Sequence, residues 1–449
     1  MSVAEVRTGD HVPSVAKRSM IGGVISLLID SYDIYLPAFV LPAAMGYFEP
    51  DTLPDSAKVT LSTLIFTVTL LARPIGGPIL GNLSDKIGRK RVTMIAAIGF
   101  TVTTFLIGVL PGYAQWGYGA IIALIALRLI DGIFLGGGYA GPVPLAIERS
   151  PKHLRAFIAG LVSAGAPVAI VFINIVQLFV LKNLSQSALL SWGWRVPFFF
   201  GAFLGILYLI YYARIPELEV TKLPSSGDAN KQPIWRLLSG RNMKGFLQVL
   251  LLMSGMWFAA QMALSFMPGL LEGYLHQSAA NVSTMELLAN LATVVGMVGY
   301  AVISQKFGRK RVLFWVGISL TIGETLAFLF MILFAKSGVG FFAVGAMGFI
   351  ALFLANAPLG TVIVYLNERF PADVRGSGYG TAYTISLILP GLYSTWIFLL
   401  GKFMPYEYTA LVLIVLGGLL FIVATLIGPE TKDVELLSED LQSNQELLL

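Results

Sequence analysis

Gly81-Asn82-Leu83-Ser84-Asp85-Lys86-Ile87-Gly88-Arg89-Lys90-Arg91 returns in shortened form as Ser304-Gln305-Lys306-Phe307-Gly308-Arg309-Lys310-Arg311, roughly 220 residues later. Each copy is a basic turn set between long apolar runs. A basic turn at a membrane–water interface orients the helices on either side of it. The same turn at the same phase, half a chain apart, predicts two related halves of about six membrane spans each.

Composition agrees. Of 449 residues, 56% are hydrophobic and 12% are charged, where soluble domains carry about 25% charge. The chain therefore reads as an all-α integral membrane protein. The net charge of +5 sits in short basic turns and does not argue for a nucleic-acid partner. There is no Cys and there are three scattered His, which excludes disulfides and thiol chemistry and leaves no pattern for a metal site. The first 19 residues are polar and end in Lys17-Arg18, and the first span can serve as its own uncleaved signal.

A span needs about 20 largely apolar residues. That ruler gives twelve transmembrane helices, at 20–46, 58–83, 92–112, 118–147, 156–181 and 195–214, then 244–271, 281–303, 312–335, 339–367, 377–401 and 406–428. The expected organisation is an N-terminus over 1–19, a six-helix bundle over 20–214, a Pro- and Ser-containing linker over 215–243, a second six-helix bundle over 244–428 and a tail over 429–449. Of 30 basic residues, 23 fall on the side of the termini and five on the other, while Arg73 and Arg128 lie within spans. That imbalance predicts cytoplasmic termini in a multi-pass protein of the cell (inner) membrane.

The basic turns resemble the loop between spans 2 and 3 of the major facilitator superfamily, G-x-L-x-D-x-x-G-R-[RK]-[RK]. The first copy matches in full, and the second has Gln305 where an acid would complete it. Within that superfamily the chain resembles the metabolite:proton symporters, relatives of the sugar porters. The segments that carry this are Asp30-Ser31-Tyr32-Asp33, Arg73-Pro74-Ile75-Gly76-Gly77, Glu148-Arg149-Ser150-Pro151 with Arg155, Trp192-Gly193-Trp194-Arg195-Val196-Pro197-Phe198-Phe199, and Glu368-Arg369-Phe370-Pro371 with Arg375. The resemblance implies a fold of two six-helix pseudo-repeats and transport by alternating access, driven by a proton gradient with no cofactor. Its substrates are small organic acids (citrate, 2-oxoglutarate, shikimate) and zwitterions such as proline and betaine. Two departures leave the substrate open. Span 4 reads Gly136-Gly137-Gly138 where the family has G-G-E, and Asp131 replaces a Gln after Arg128.

Charge inside a bilayer costs at least ~2.5–3.5 kcal/mol per residue, so each buried one needs a reason. Asp30 and Asp33 lie three apart on one helix, and two such carboxylates without a cation favour binding of a proton. The resemblance pairs Asp33 with Arg128 to couple protonation to substrate entry; a fixed structural ion pair is the alternative. Arg128 could equally take a substrate carboxylate bidentately, or pair with Asp131 one turn on, which substrate would then displace. Tyr32 and Tyr35 either offer aromatic walls or are ordinary interface aromatics. Gln261 and Asn356 either hydrogen-bond solute or bridge neighbouring helices. Asp85, Arg89, Glu148, Arg149, Arg155, Glu368, Arg369 and Arg375 sit at helix ends, where the resemblance implies an ion-pair network that gates the cytoplasmic side. Acids add little to orientation, so simple anchoring does not account for Asp85, Glu148 and Glu368.

Gly136-Gly137-Gly138-Tyr139-Ala140-Gly141 fits G-x-G-x-x-G but lies in an apolar helix with no strand before it. Its small residues suit close helix approach instead. No P-loop is present, and nothing clusters as an enzyme's nucleophile, base or metal ligands. The expectation is a monomeric, proton-coupled symporter of a small organic anion, with protons and the lipid bilayer as its other partners. A sugar, polyol or neutral-metabolite porter and a non-transporting receptor are the alternatives.

Overall fold

The computed structural model describes residues 14–50, 52–53, 55–87, 89–138, 143, 146–147, 150–214, 237, 240–371, 374–434 and 436. Among them, twelve helical spans account for the apolar runs. They are α1 (Ser14–Phe48), α2 (Asp55–Ile87), α3 (Arg89–Gly108), α4 (Tyr118–Gly138), α5 (Arg155–Asn183) and α6 (Leu189–Ala213), followed by α7 (Asn242–Tyr274), α8 (Ala279–Phe307), α9 (Arg309–Ser337), α10 (Phe341–Arg369), α11 (Gly378–Leu400) and α12 (Tyr406–Ile427). Eleven have a long apolar window, and α2 has a shorter one at Leu64–Gly77. Threonines such as Thr67 and Thr69, with Arg73, lower its hydropathy because they are buried against other helices rather than lipid. Most of the expected linker and tail, and residues 1–13, lie outside the described residues.

The packing obeys the repeat. Adding six to each helix number turns α2 against α4 into α8 against α10, and α3 against α6 into α9 against α12; all four pairs are in contact. Between halves, α5 meets α8 and α2 meets α11, which the same rule exchanges, and α5 also packs on α10 near the end that carries the basic turns. Within the first half, α2 and α4 approach so closely that a Cβ on Gly76 would stand 1.9 Å from the Ile133 carbonyl oxygen, and one on Gly136 2.1 Å from that of Arg73. The glycine run that mimics a nucleotide motif is thus a helix-crossing surface.

Several helices break at one depth, and proline is the local cause. Pro358 follows the break between Phe341–Asn356 and Leu359–Arg369, Pro167 follows the break in α5 at Ala164, and Pro390 lies just beyond the break in α11 at Ser386–Leu387. Proline removes a helical N–H and crowds the carbonyl four residues before it. Broken backbone at membrane depth is tolerated where it faces protein or a cavity, and a cavity is what these breaks surround.

The Trp194-Arg195 motif has a structural account. The guanidinium of Arg195 donates to the carbonyls of Gly108 (2.7 Å) and Leu110 (3.0 Å) and to the Tyr47 hydroxyl (2.8 Å), and lies 4.5 Å above the Trp194 ring. It satisfies carbonyls left over at the end of α3 and ties α1, α3 and α6 together.

Candidate functional site

A central cavity of about 30 Å³ lies between the halves. It has room for a water or two and not for a metabolite. Its polar lining is Ser31 and Tyr35 of α1, Arg73 of α2, Gln261 of α7, Asn290 and Thr293 of α8, and Asn356 of α10, with Trp257 and Tyr383 as aromatic walls. The two rings meet edge to face at 5.2 Å and 89°. Arg73 is the cationic member of this lining; its side chain is 2% exposed, and Asp30 stands 3.6 Å from it. Asn356 owes its position to the break before Pro358, and its amide N–H₂ donates to the Leu352 carbonyl at 3.1 Å.

A second buried charge cluster lies within the first half. Arg128 is held 2.7 Å from Asp131 and 3.7 Å from Asp33, and it donates to the Asp33 carbonyl at 3.4 Å. The Thr104 hydroxyl donates to Asp33, and Thr103 donates to Asp131 at 2.8 Å. Thr69 of α2 in turn donates to the Arg128 carbonyl at 3.1 Å. Two carboxylates thus share one guanidinium, with formal charge −1 when both are ionised. One bound proton neutralises the cluster.

The end of the molecule that carries the basic turns is closed by a third network. Arg309 and Glu368 pair bidentately at 3.1 Å on both arms, and both side chains are fully buried. Arg155, from the first half, approaches the same carboxylate at 3.6 Å, and Thr431 donates to it at 2.8 Å. The segment after α12 runs across this end. Arg155 donates to the Val434 carbonyl (2.8 Å), Arg375 to that of Leu436 (3.4 Å), and Glu430 accepts the backbone N–H of Arg309 (2.8 Å) and Lys310 (3.1 Å). Glu430 therefore caps the first turn of α9, where an anion is favoured.

The structure sorts the residues singled out in the sequence. Tyr35, Gln261 and Asn356 line the cavity. Arg128 and Asp131 do not, being enclosed in the charge cluster, and Tyr32 donates its hydroxyl to the Pro197 carbonyl at 2.9 Å rather than facing the cavity. Asp30 stands apart from Asp33 and pairs with Arg73 instead. Arg155 and Glu368 meet across the halves, while Arg369 donates to Gln248 at 3.2 Å and Arg375 to the Phe370 carbonyl at 3.1 Å. Glu148 and Arg149, with the side chains of Asp85 and Arg89, lie outside the described residues. Arg73, Asn290, Thr293, Trp257 and Tyr383 join the cavity, and Arg309 joins the end network; sequence reasoning had assigned none of them to a site. The available signal for Arg73 was that it is one of only two basic residues within spans.

Residues 23–394 match the family model described as the Major Facilitator Superfamily. The inner membrane metabolite transport protein YhjE of Escherichia coli strain K12 is 29% identical over 385 residues, 82% of this chain and 84% of that one. The shikimate transporter of the same organism is 29% identical over 407 residues, covering 86% and 87%. Among solved structures, the proton:xylose symporter XylE bound to 6-bromo-6-deoxy-D-glucose superposes with a TM-score of 0.73 at 17% identity, over 98% of this chain and 100% of the other.

Proposed function

Because the chain belongs to the Major Facilitator Superfamily, we propose that this multi-pass membrane transporter is a proton-coupled symporter of a small organic acid, working by alternating access as a monomer with both termini cytoplasmic. The observation that carries the reading is Arg73, a buried guanidinium facing a small cavity whose remaining polar lining is uncharged. A guanidinium fork matches a carboxylate, and a substrate carboxylate competes with Asp30 for it. Gln261, Asn290 and Asn356 then hydrogen-bond the remaining polar groups of the solute. The proton gradient is the energy source, and no cofactor is required.

The proton binds in the other cluster. Protonation of Asp33 leaves Asp131 as the sole anion on Arg128 and loosens the hold of α4 on α1. Because α1 also presents Ser31 and Tyr35 to the cavity, this links proton occupancy to cavity shape. The halves then rock about the cavity, and Arg155–Glu368 parts when the cytoplasmic side opens. The relation to the shikimate transporter favours a carboxylate.

A neutral sugar or polyol is the second reading, favoured by the three amides and the Thr293 hydroxyl. One experiment separates them: currents recorded on a solid-supported membrane while organic acids, amino acids and sugars are pulsed over reconstituted protein. A proton-dependent current with one carboxylate, lost in both Asp33→Asn and Arg73→Gln, supports the proposal. No current with any acid, together with counterflow of a sugar that survives Arg73→Gln, would sink it.

A further inference from the structure

The side of the cavity away from the basic turns is closed between the halves at two places. At one, the Thr67 hydroxyl of α2 donates to the Gly391 carbonyl of α11 at 3.1 Å. The other is the repeat-related contact of α5 with α8, and it is chemically different.

The register of that contact follows from a close approach. A Cβ on Gly160 of α5 would stand 2.8 Å from Val298 Cα and 3.1 Å from the Met297 carbonyl oxygen of α8. The helices run in opposite directions, and α8 packs along both segments of α5. Cavity-lining Pro167 and Ile170 accordingly share a level with Asn290 and Thr293. One to two turns further on, Asn174 and Gln177 of α5 face the stretch of α8 holding Ser283 and Glu286. On α8, Glu286 extends the stripe Asn290–Thr293–Met297 at helical spacing.

Asn174, Gln177 and Glu286 are 0, 4 and 2% exposed. Each has a side-chain oxygen with no protein hydrogen-bond partner: Asn174 Oδ1, Gln177 Oε1 and Glu286 Oε1. Three unpartnered acceptors thus fall on one stretch of the α5–α8 contact, and none of them receives a hydrogen bond from the Gln177 amide or the Ser283 hydroxyl. The Asn174 amide N–H₂ is already engaged with the Ile170 carbonyl at 3.1 Å, so turning it does not supply one without losing that bond. No Lys or Arg lies in α5 between Gly165 and Leu181, nor in α10 between Phe341 and Asn356. The titratable neighbour of Glu286 is Glu272 at the end of α7, another acid. A buried acceptor without a donor costs ~1–3 kcal/mol, and an ionised carboxylate without a cation costs more.

We propose that Glu286 is a second proton-binding carboxylate, and that its protonation latches α5 to α8 on the side of the cavity away from the basic turns. The neutral acid supplies a donor to oxygens that have no partner: its O–H serves Asn174 Oδ1 or Gln177 Oε1. Loss of the proton places a negative charge beside two amide oxygens and Glu272, and only water can stabilise it. The seam then separates and the cavity opens on that side. This deepens the symport reading by adding a proton site in the second half, separate from the Asp33 cluster, and it rests on that reading only for its role in transport.

The chain has no native Cys, so spin labels report from chosen positions alone. Lys182→Cys at the end of α5 and Ser278→Cys at the start of α8 straddle the seam. Their separation is measured by double electron–electron resonance in lipid nanodiscs without substrate, from acid to alkaline pH. The parent is expected to show a short distance at low pH and a longer one at high pH. Glu286→Gln, which keeps a donor permanently, is expected to hold the short distance throughout. Asn174→Leu and Gln177→Leu, each removing an acceptor, are expected to weaken the short population at low pH. A pH profile in Glu286→Gln identical to the parent's, or no pH response in the parent, would overturn the proposal, as would leucine variants that behave as the parent does. Because no substrate is present, a pH-dependent latch in a protein that shows no carboxylate current leaves Glu286 as the latch and removes only the organic-acid reading.

Discussion

Two arginines lie within the spans, and the structure gives them different surroundings. Arg73 faces the cavity with Asp30 beside it, whereas Arg128 is enclosed by Asp33 and Asp131. Arg73→Lys keeps the charge and loses the fork. A charge-assisted hydrogen bond contributes about 1.5–3 kcal/mol, so the half-saturating substrate concentration should rise roughly 10- to 100-fold while transport remains proton-driven. Arg128→Lys should do the opposite, leaving counterflow affinity near the parent's while the proton-driven current falls. Equal losses of affinity in both variants would show that the two clusters are not separate in function. The sequence made the Asp33–Arg128 pair legible, since charges of opposite sign in two apolar helices need each other. It did not reveal which arginine meets the cavity, because that depends on how α2 is rotated where Gly76 lets it close on α4. Glu286 was hidden for another reason: near the start of an apolar run, it looks like an interfacial acid.

The element scale is clearest at α9. Its first turn is the second basic motif, whose Arg309 is buried against Glu368 while Glu430 caps the helix from beyond α12. Removing one partner of a buried ion pair costs about 3–5 kcal/mol because the other charge is left uncompensated. Losing a cap costs about 1 kcal/mol. Thermal unfolding in detergent should therefore show a much lower midpoint for Glu368→Gln than for Glu430→Gln, and Arg309→Met paired with Glu368→Leu should recover part of the loss. A Glu430→Gln variant as unstable as Glu368→Gln would mean that the tail, not the ion pair, holds this end. The basic motif announced the turn; that its first arginine is buried and reaches α10 was not legible, because the sequence does not place Glu368 beside it. The breaks at Pro358 and Pro390 were written in the sequence, but their common depth around a cavity emerges only once the helices are assembled.

At the scale of the whole molecule, the repeat determines which helices meet, and the charge imbalance bears on how the assembly sits in the membrane. The shift by six that exchanges α5–α8 with α2–α11 makes these two inter-half contacts equivalent in position, yet one is closed by a neutral hydroxyl and the other holds a carboxylate. Symmetry of fold with asymmetry of chemistry lets one half respond to protons differently from the other. For the direction of the gradient to matter, the molecule must face one way. The 23-to-5 division of basic residues predicts that the Arg155–Glu368–Arg309 end faces the cytoplasm. Single cysteines at exposed positions test this against the Cys-free background. In intact cells, a membrane-impermeant maleimide should label Lys182→Cys and Lys402→Cys and spare Lys306→Cys, and in everted vesicles the pattern should reverse. Labelling of Lys306→Cys in intact cells would invert the molecule. The latch at Glu286 would then face the cytoplasm, and protons released there would have to enter through the Arg155 side, a route on which the ion-pair network would be the outer gate.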